Sequence, residues 1–227
     1  MKRINKYVYP GTVRKNIEGK RHYSIGEEKL PSVTTILSAT QSEEKRQSLQ
    51  RWKQRVGDAA ADAIKNKAAN RGTVMHNLIE KHILEEGYKD LTDTGIEATR
   101  MANKIIESGL SQWDACYGVE VTQYYPGLYA GQSDLVGVFR GRDTIGDFKQ
   151  TNKPKRREWI ENYFLQLVAY AEAHNVVYGT HIKQGMIMMC SPDCYYQEFI
   201  LEGEEYQKYY WEWLRRVDQY YEQKEKK

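Results

Sequence analysis

Three charged residues interrupt two otherwise apolar segments in the stretch GQSDLVGVFRGRDTIGDFKQ, residues 131–150. Asp134 lies in the first segment, and Asp147 and Lys149 lie in the second. Side chains of a strand alternate between two faces. A β-hairpin with a two-residue turn at residues 141–142 would pair Asp134 with Lys149. All three charged side chains are therefore expected on one face of the hairpin.

Such a face could bind a cation. Diagonal neighbours on adjacent strands lie about 7–8 Å apart at the backbone, and Mg²⁺–oxygen distances are about 2.0–2.1 Å. The carboxylates of Asp134 and Asp147 could therefore converge on one ion, with the Lys149 ammonium beside it. The alternative is an exposed strand face with a solvated ion pair, which is common on antiparallel sheets.

Two predicted helices carry further polar pairs at a spacing of four residues, which places both members on one helix face. His76 and Glu80 lie in the amphipathic segment TVMHNLIEKHILEE, residues 73–86, and Gln166 and Tyr170 lie in a predicted helix over 157–174. Taken alone, His76 is more typical of a surface or structural histidine, and the second pair is more typical of a core edge. The ordered set of H-x3-E, G-x2-D, D-x-K and Q-x3-Y favours a shared site.

The elements around these residues predict an α/β fold: a central mixed β-sheet of about five strands flanked by helices. The first 30 residues read as a small N-terminal β-ribbon arm, and residues 31–227 as a single globular domain. Ser32 is the expected N-cap of a first helix, and Gly87 the expected end of the helix over 73–86. Further helices are predicted over 43–67, 94–114 and 203–224.

The composition is that of a globular chain with a core, since 40% of its 227 residues are hydrophobic. The net charge of +3 does not itself indicate nucleic-acid binding, but five basic residues cluster within nine positions without an acid: Lys149, Lys153, Lys155, Arg156 and Arg157. No apolar run approaches the roughly 18–20 residues of a membrane span, and no apolar signal core opens the chain. Three cysteines cannot pair completely, which favours a reducing, intracellular setting, and we expect a cytoplasmic protein.

These motifs resemble the PD-(D/E)XK nuclease superfamily, in its RecB-type exonuclease branch. The stretches that carry the resemblance are RGTVMHNLIE, GQSDLVG, IGDFK and QLVAY, supported by LPSVTTILSAT and DFKQTNKPK. Within that branch the likeness is greatest to exonucleases of the mitochondrial genome maintenance type and their phage-encoded relatives. It covers about residues 30 to 200, and it implies a restriction-endonuclease-like core.

The resemblance also implies roles for individual residues. It makes His76, Asp134, Asp147 and the backbone carbonyl of Phe148 the ligands of one or two Mg²⁺ or Mn²⁺ ions. It adds Lys149 and Glu80 to the catalytic set. Some relatives hold an iron–sulfur cluster on four cysteines, but this chain has only three, and it has no Walker A loop, so we expect neither an iron–sulfur cluster nor ATP. DNA contacts are expected from Ser32, Thr151, Lys153, Lys155, Arg156, Trp159, Gln166 and Tyr170. Many relatives have Lys and Thr next to each other at this point of the motif. Here Gln150 separates Lys149 from Thr151, which leaves the role of Thr151 open.

The expected function is that of a monomeric deoxyribonuclease acting on DNA, with an exonuclease of single-stranded ends favoured. If the chain is phage-encoded, it would act in the host cytoplasm. A structure-specific or restriction-like endonuclease with the same core is the first alternative. A catalytically silent DNA-binding module that uses the basic cluster is the second.

Overall fold

The computed structural model describes residues 1–17 and 19–226. Its strands are β1 (Lys2–Arg3), β2 (Val13–Ile17), β3 (Lys20–Ile25), β4 (Glu28–Pro31), β5 (Trp113–Tyr125), β6 (Tyr129–Phe139), β7 (Arg142–Gln150), β8 (Gly185–Cys190) and β9 (Tyr196–Leu201). Its helices are α1 (Val33–Ala39), α2 (Glu43–Val56), α3 (Asp58–Ile83), α4 (Asp93–Ser108), α5 (Glu161–Tyr178) and α6 (Gly203–Glu225).

A six-stranded mixed sheet with the order β1-β5-β6-β7-β8-β9 forms the centre of the molecule. Helices cover both of its faces. On one face α1, α5 and α6 enclose a core that includes Val136 and Phe164; on the other, α3 and α4 enclose a core that includes Leu135 and Phe148. The α/β class and the flanked mixed sheet are confirmed, with the two-residue β1 as the strand beyond the expected five.

The β6–β7 hairpin differs from the expectation in its turn. Phe139 pairs with Arg142, so that Arg140 and Gly141 form the turn, both with positive φ (50° and 75°). Two such residues suit a type I′ turn, which matches the twist of a hairpin. The predicted register was wrong by two residues. Because side chains alternate with period two, a shift of two preserves the faces, and Asp134 falls opposite Asp147.

The sequence predicted that these helices exist better than it predicted the residues at which they begin and end. A single 26-residue helix, α3, runs from Asp58 to Ile83, and the break that we placed before residue 73 occurs at Gly57 instead. Gly57 has a φ of 83°, a left-handed conformation that suits glycine. The predicted end at Gly87 was also wrong, because Glu85 adopts the left-handed conformation (φ 59°) just after the helix. Within the described residues no helix is long and apolar enough to span a membrane.

The N-terminal ribbon is a three-stranded antiparallel sheet in the order β2-β3-β4. It contacts the body where Tyr23 and Leu30 pack on Ala130 of β6, and where Ser32 bridges Ala130. The predicted cap of α1 is confirmed, since Ser32 Oγ accepts a hydrogen bond from the Thr35 backbone N–H at 3.0 Å. A domain boundary at residue 30 stays a prediction.

Candidate metal and phosphate site

His76 of α3 lies beside Asp134 of β6. The His76 Nδ1 atom lies 3.6 Å from Asp134 Oδ2 and 3.3 Å from Oε1 of Glu120. One donor atom from each of these three residues lies within 4.8 Å of the others. The arrangement offers two carboxylates and one imidazole to a single point.

Glu120 was missed at the sequence level. On β5, Val119 pairs with Leu135 and Val121 with Ser133, which puts Glu120 opposite Asp134. Its φ of 51° is unusual for a non-glycine residue within a strand, and such strained backbone concentrates at functional sites. The acid in YGVEVTQYY was a visible signal, but only the pairing of β5 with β6 brings it to His76.

Asp134 is held in place by the neighbouring strand. Its Oδ2 accepts a hydrogen bond of 2.7 Å from the backbone N–H of Phe148, and the residue is buried. This bond links β6 directly to the part of β7 that carries Asp147 and Lys149, because Phe148 lies between these two residues. The Phe148 carbonyl as a metal ligand stays a prediction.

Asp147 and Lys149 form a buried ion pair beside this cluster. The Lys149 Nζ atom lies 2.5 Å from Asp147 Oδ2 and 5.2 Å from the centre of the Tyr163 ring. Burial raises the pKa of Asp147 to about 6 although the Lys149 ammonium opposes this. Burial also lowers the pKa of Lys149, but the carboxylates of Asp147 and Asp134 outweigh that effect and raise it. Lys149 is therefore charged.

The electrostatics of His76 reflect the same acidic surroundings. Burial lowers its pKa, whereas Asp134 and a hydrogen bond to Glu120 raise it, with a net value of about 9. Without a metal, the His76 imidazolium therefore partly neutralises the carboxylates of Asp134 and Glu120. The same negative charge favours the binding of a cation.

The residues present fit a hard divalent cation. Both carboxylate oxygens of Asp147 are buried, and no described residue gives either one a hydrogen bond of good geometry, although Lys149 is close. Buried polar atoms without such partners need an explanation, and a metal ligand position is one. Oxygen donors with one imidazole suit Mg²⁺ or Mn²⁺.

Gln166 and Tyr170 lie on α5, on the opposite side of the predicted site from α3. Gln166 Nε2 donates a 2.9 Å hydrogen bond to Tyr170 Oη. The tyrosine ring covers Gly131, where a Cβ atom would lie only 2.5 Å from Tyr170 Cε1. The glycine of the G-x2-D motif is therefore needed for this ring to approach β6. Burial is the largest of the effects that raise the pKa of Tyr170. Electrostatic interactions with Tyr23, Asp147 and Asp134 raise it further.

A second residue that sequence reasoning missed is Arg71, which is buried in α3. Its guanidinium donates to Gln150 Oε1 at 2.7 and 3.0 Å and to Glu97 Oε2 at 3.2 Å, and it also contacts Asn152. Arg71 thereby joins the helix of His76 to the end of the strand of Lys149. It also gives the Gln150 side-chain oxygen a hydrogen-bond donor.

The other residues of the expected site are placed less centrally. Glu80 is half-buried one turn beyond His76, outside the three-residue cluster. The Ser32 hydroxyl is engaged in the α1 cap. Thr151 is buried, and its hydroxyl donates to the Lys153 carbonyl at 2.7 Å. Metal binding, catalysis and DNA contacts by individual residues remain predictions.

A basic and aromatic cleft lies between α2 and the segment that follows β7. It has a volume of about 830 Å³. Besides Leu49, Glu158 and three uncharged polar residues, its lining includes four basic residues and two tryptophans: Lys45, Arg51, Arg55, Lys155, Trp52 and Trp159. Trp159 is 60% exposed, while Lys153 and Arg156 are exposed nearby. We call this the α2 cleft.

Comparison with known proteins adds to this geometry. No family model matches the chain. The chain is 28% identical over 211 residues to mitochondrial genome maintenance exonuclease 1 of Homo sapiens, covering 86% of this chain and 59% of that protein. It is 29% identical over 206 residues to the Mus musculus protein of the same name, covering 85% and 59%. A solved structure of a candidate exonuclease from Eubacterium rectale has a TM-score of 0.48 and 15% identity, over 67% of this chain and 64% of that one.

The chain is therefore similar to proteins named as exonucleases, and its motifs resemble those of the PD-(D/E)XK type. Among these, it is similar to mitochondrial genome maintenance exonuclease 1 over most of its own length. It spans 59% of the length of the human and mouse relatives.

Proposed function

We propose that this protein is a metal-dependent exonuclease that hydrolyses phosphodiester bonds from the ends of single-stranded DNA. The observation that carries the proposal is the group of acids and one histidine beside a charged, buried lysine. His76, Glu120 and Asp134 offer donor atoms within 4.8 Å of one another, and Lys149 is paired with Asp147 next to them. Relatives named as exonucleases support the reaction class.

In this proposal His76, Asp134, Asp147 and Glu120 hold Mg²⁺ or Mn²⁺. A bound divalent cation neutralises phosphate charge and lowers the pKa of a coordinated water. The chain's own contribution is to fix the ligands. Phe148 N–H holds Asp134 at 2.7 Å, and α3 brings His76 to the sheet.

Lys149 supplies a compact positive charge at the reacting phosphate. A phosphodiester is anionic, and its negative charge increases as water attacks, so that a fixed ammonium stabilises the transition state more than the substrate. Asp147 keeps this ammonium charged and oriented through the contact at 2.5 Å. Tyr163 flanks it, which limits the positions that the side chain can take.

The α2 cleft supports the single-strand preference in this proposal. Trp52 and Trp159 offer ring faces to unpaired bases, while the basic lining attracts phosphates without reading sequence. Helix α2, described along its whole length, buries none of its residues. Its links to the body include the Lys45–Glu161 ion pair of 2.7 Å. A helix so weakly attached can admit a strand beneath it.

The test is digestion of single strands labelled at the 5′ or the 3′ end, and of a circular single strand, with Mg²⁺, Mn²⁺ or EDTA. We expect the linear strands to be degraded with either metal and the circle to stay intact. Cleavage of the circle at the rate of the linear strands would identify an endonuclease instead. Binding of DNA without cleavage in any metal would identify a silent binding module.

A further inference from the structure

A second basic groove lies between the ribbon hairpin β2–β3 and helix α1, and it shares no described lining residue with the α2 cleft. Its volume is about 540 Å³. Four basic residues line the hairpin side, and two residues with exposed hydroxyl side chains line the helix side: Arg14, Lys15, Lys20, Arg21, Thr34 and Ser38. We call this the ribbon groove.

The charge of the ribbon groove is not balanced within the described part of the chain. No acid is among its described lining residues, and the ion pairs found between described residues involve none of its four cations. Glu28, at the far end of the ribbon, is occupied elsewhere, since its Oε2 accepts from the Gly127 backbone N–H at 2.8 Å. Clustered cations repel one another, and a polyanion relieves that repulsion.

The hairpin wall of the groove is fixed to the body of the protein. The Arg21 carbonyl accepts hydrogen bonds of 2.9 Å from the Thr35 hydroxyl and of 2.9 Å from the Ser32 backbone N–H. Tyr23, only 4% exposed, packs with Leu30 against the body. The cations therefore stand on a supported surface, which reduces the entropy lost when they bind a ligand.

The groove adjoins the proposed catalytic face through β6. We use this name for the set formed by His76, Glu120, Asp134, Asp147 and Lys149. Ala130 bridges Ser32 and packs against Tyr23. The next residue, Gly131, lies beneath the ring of Tyr170. The ribbon and the α5 side of the site are therefore joined by two consecutive residues of β6.

We propose that the ribbon groove binds the sugar–phosphate backbone of the substrate DNA strand, several nucleotides away from the bond that is cut. This inference rests on the proposed nuclease function and adds a second substrate contact to it. Lysines and arginines at this spacing contact phosphates without reading bases. The groove therefore contributes affinity that grows with strand length and falls with salt.

The test is fluorescence anisotropy of labelled single-stranded DNA in EDTA, over a range of salt concentrations, with Lys15→Gln/Lys20→Gln. Each lost phosphate contact reduces the slope of log K against log salt by about 0.7 for a single strand. We expect a slope shallower by about 1.4 and about tenfold weaker binding of a long strand at low salt. Binding and metal-dependent cleavage of a strand of about 6 nucleotides should remain as in the parent.

The matched control is Lys89→Gln/Lys183→Gln, which removes two exposed cations elsewhere on the surface. Its slope should equal that of the parent. An unchanged slope in the groove variant, or an equal change in the control, would overturn the groove proposal while leaving the nuclease intact. If the unaltered protein neither binds nor cleaves DNA, the proposed function itself fails, and the groove proposal fails with it.

Discussion

The catalytic face and the α2 cleft are built in opposite ways. On the catalytic face, charged side chains are buried and paired: Asp147 is 1% exposed at its side chain and contacts Lys149, and Asp134 accepts a backbone hydrogen bond. In the α2 cleft, Arg51 and Arg55 are exposed on a helix without a buried residue along its described length. One region fixes its charges, and the other leaves them exposed.

This difference indicates a division of labour between chemistry on the catalytic face and strand binding in the α2 cleft. Burial alters the pKa of His76 and Asp147 and restricts their orientation, both of which matter for chemistry on a phosphate. Exposed cations and tryptophans adapt to any sequence, which suits non-specific binding of a strand. Changes on the catalytic face should therefore alter the rate of cleavage, and changes in the cleft should alter affinity.

The largest expected effect is that of Lys149→Ala. Loss of a fixed charge at the reacting phosphate should reduce the single-turnover rate of cleavage by about 10²–10³-fold. The matched control is Lys153→Ala, which removes an exposed cation of the basic cluster and should change the rate by less than about threefold, within the range of surface contacts. Equal effects of the two variants on the rate would contradict the separate roles of buried and exposed cations.

The stability of the metal-free protein should depend on pH through His76. Its folded pKa of about 9 exceeds the ordinary value of 6.5, so the folded state binds this proton more tightly than the unfolded state does. The resulting stabilisation, on the order of 3 kcal/mol, is fully present below pH 6.5 and is lost as the pH rises to 9. Asp147, also raised, loses its contribution in a separate window, between about pH 4 and 6.

Urea unfolding in EDTA at pH 6 and pH 9.5 measures this change for the parent and for His76→Gln. The variant should show a smaller loss of unfolding free energy between the two pH values. An identical loss would mean that His76 does not carry the extra charge of the catalytic face.

Glu120→Gln should weaken Mn²⁺ binding by about tenfold in calorimetry, because it removes a carboxylate of the proposed metal site that also contacts His76. Glu80→Gln is the matched control, since Glu80 lies one turn from His76 on the same helix but outside the cluster. Weaker Mn²⁺ binding in the control alone would make Glu80, rather than Glu120, the relevant acid.

The smallest effect is expected in the cleft. Trp159→Ala should weaken metal-free binding of single-stranded DNA by about fivefold, which corresponds to ~1 kcal/mol of lost stacking, and should leave the single-turnover rate at saturating DNA nearly unchanged. Trp211 on α6 has almost the same exposure, 62% against 60%, and Trp211→Ala should leave binding unaltered. A lower rate without weaker binding would contradict the division of labour.

The sequence predicted features that depend on local periodicity. The common face of Asp134, Asp147 and Lys149 could be predicted because alternation along a strand survives a shift of two residues. The position of the turn could not, because Gly141 can occupy either place in a two-residue turn. The break at Gly57 was missed since a glycine inside a polar helical segment has no distinctive neighbours.

The candidate site was only partly predictable, for a physical reason. His76 and Asp134 carry motif spacings along the chain, whereas Glu120 approaches them through the pairing of β5 with β6. The role of Arg71 depends in the same way on the packing of α3 against Gln150 and Asn152. Such contacts between elements distant in sequence leave no periodic pattern in either element.

The central claim is that the acids around His76 hold a divalent metal for catalysis. Its most direct test is Mn²⁺ binding, followed by electron paramagnetic resonance of the free ion, to Asp134→Asn, which keeps an oxygen acceptor for Phe148 N–H. Our account predicts Mn²⁺ affinity more than about tenfold weaker than the parent, with loss of DNA cleavage. An Asp134→Asn protein that binds Mn²⁺ and degrades DNA as the parent does would contradict it.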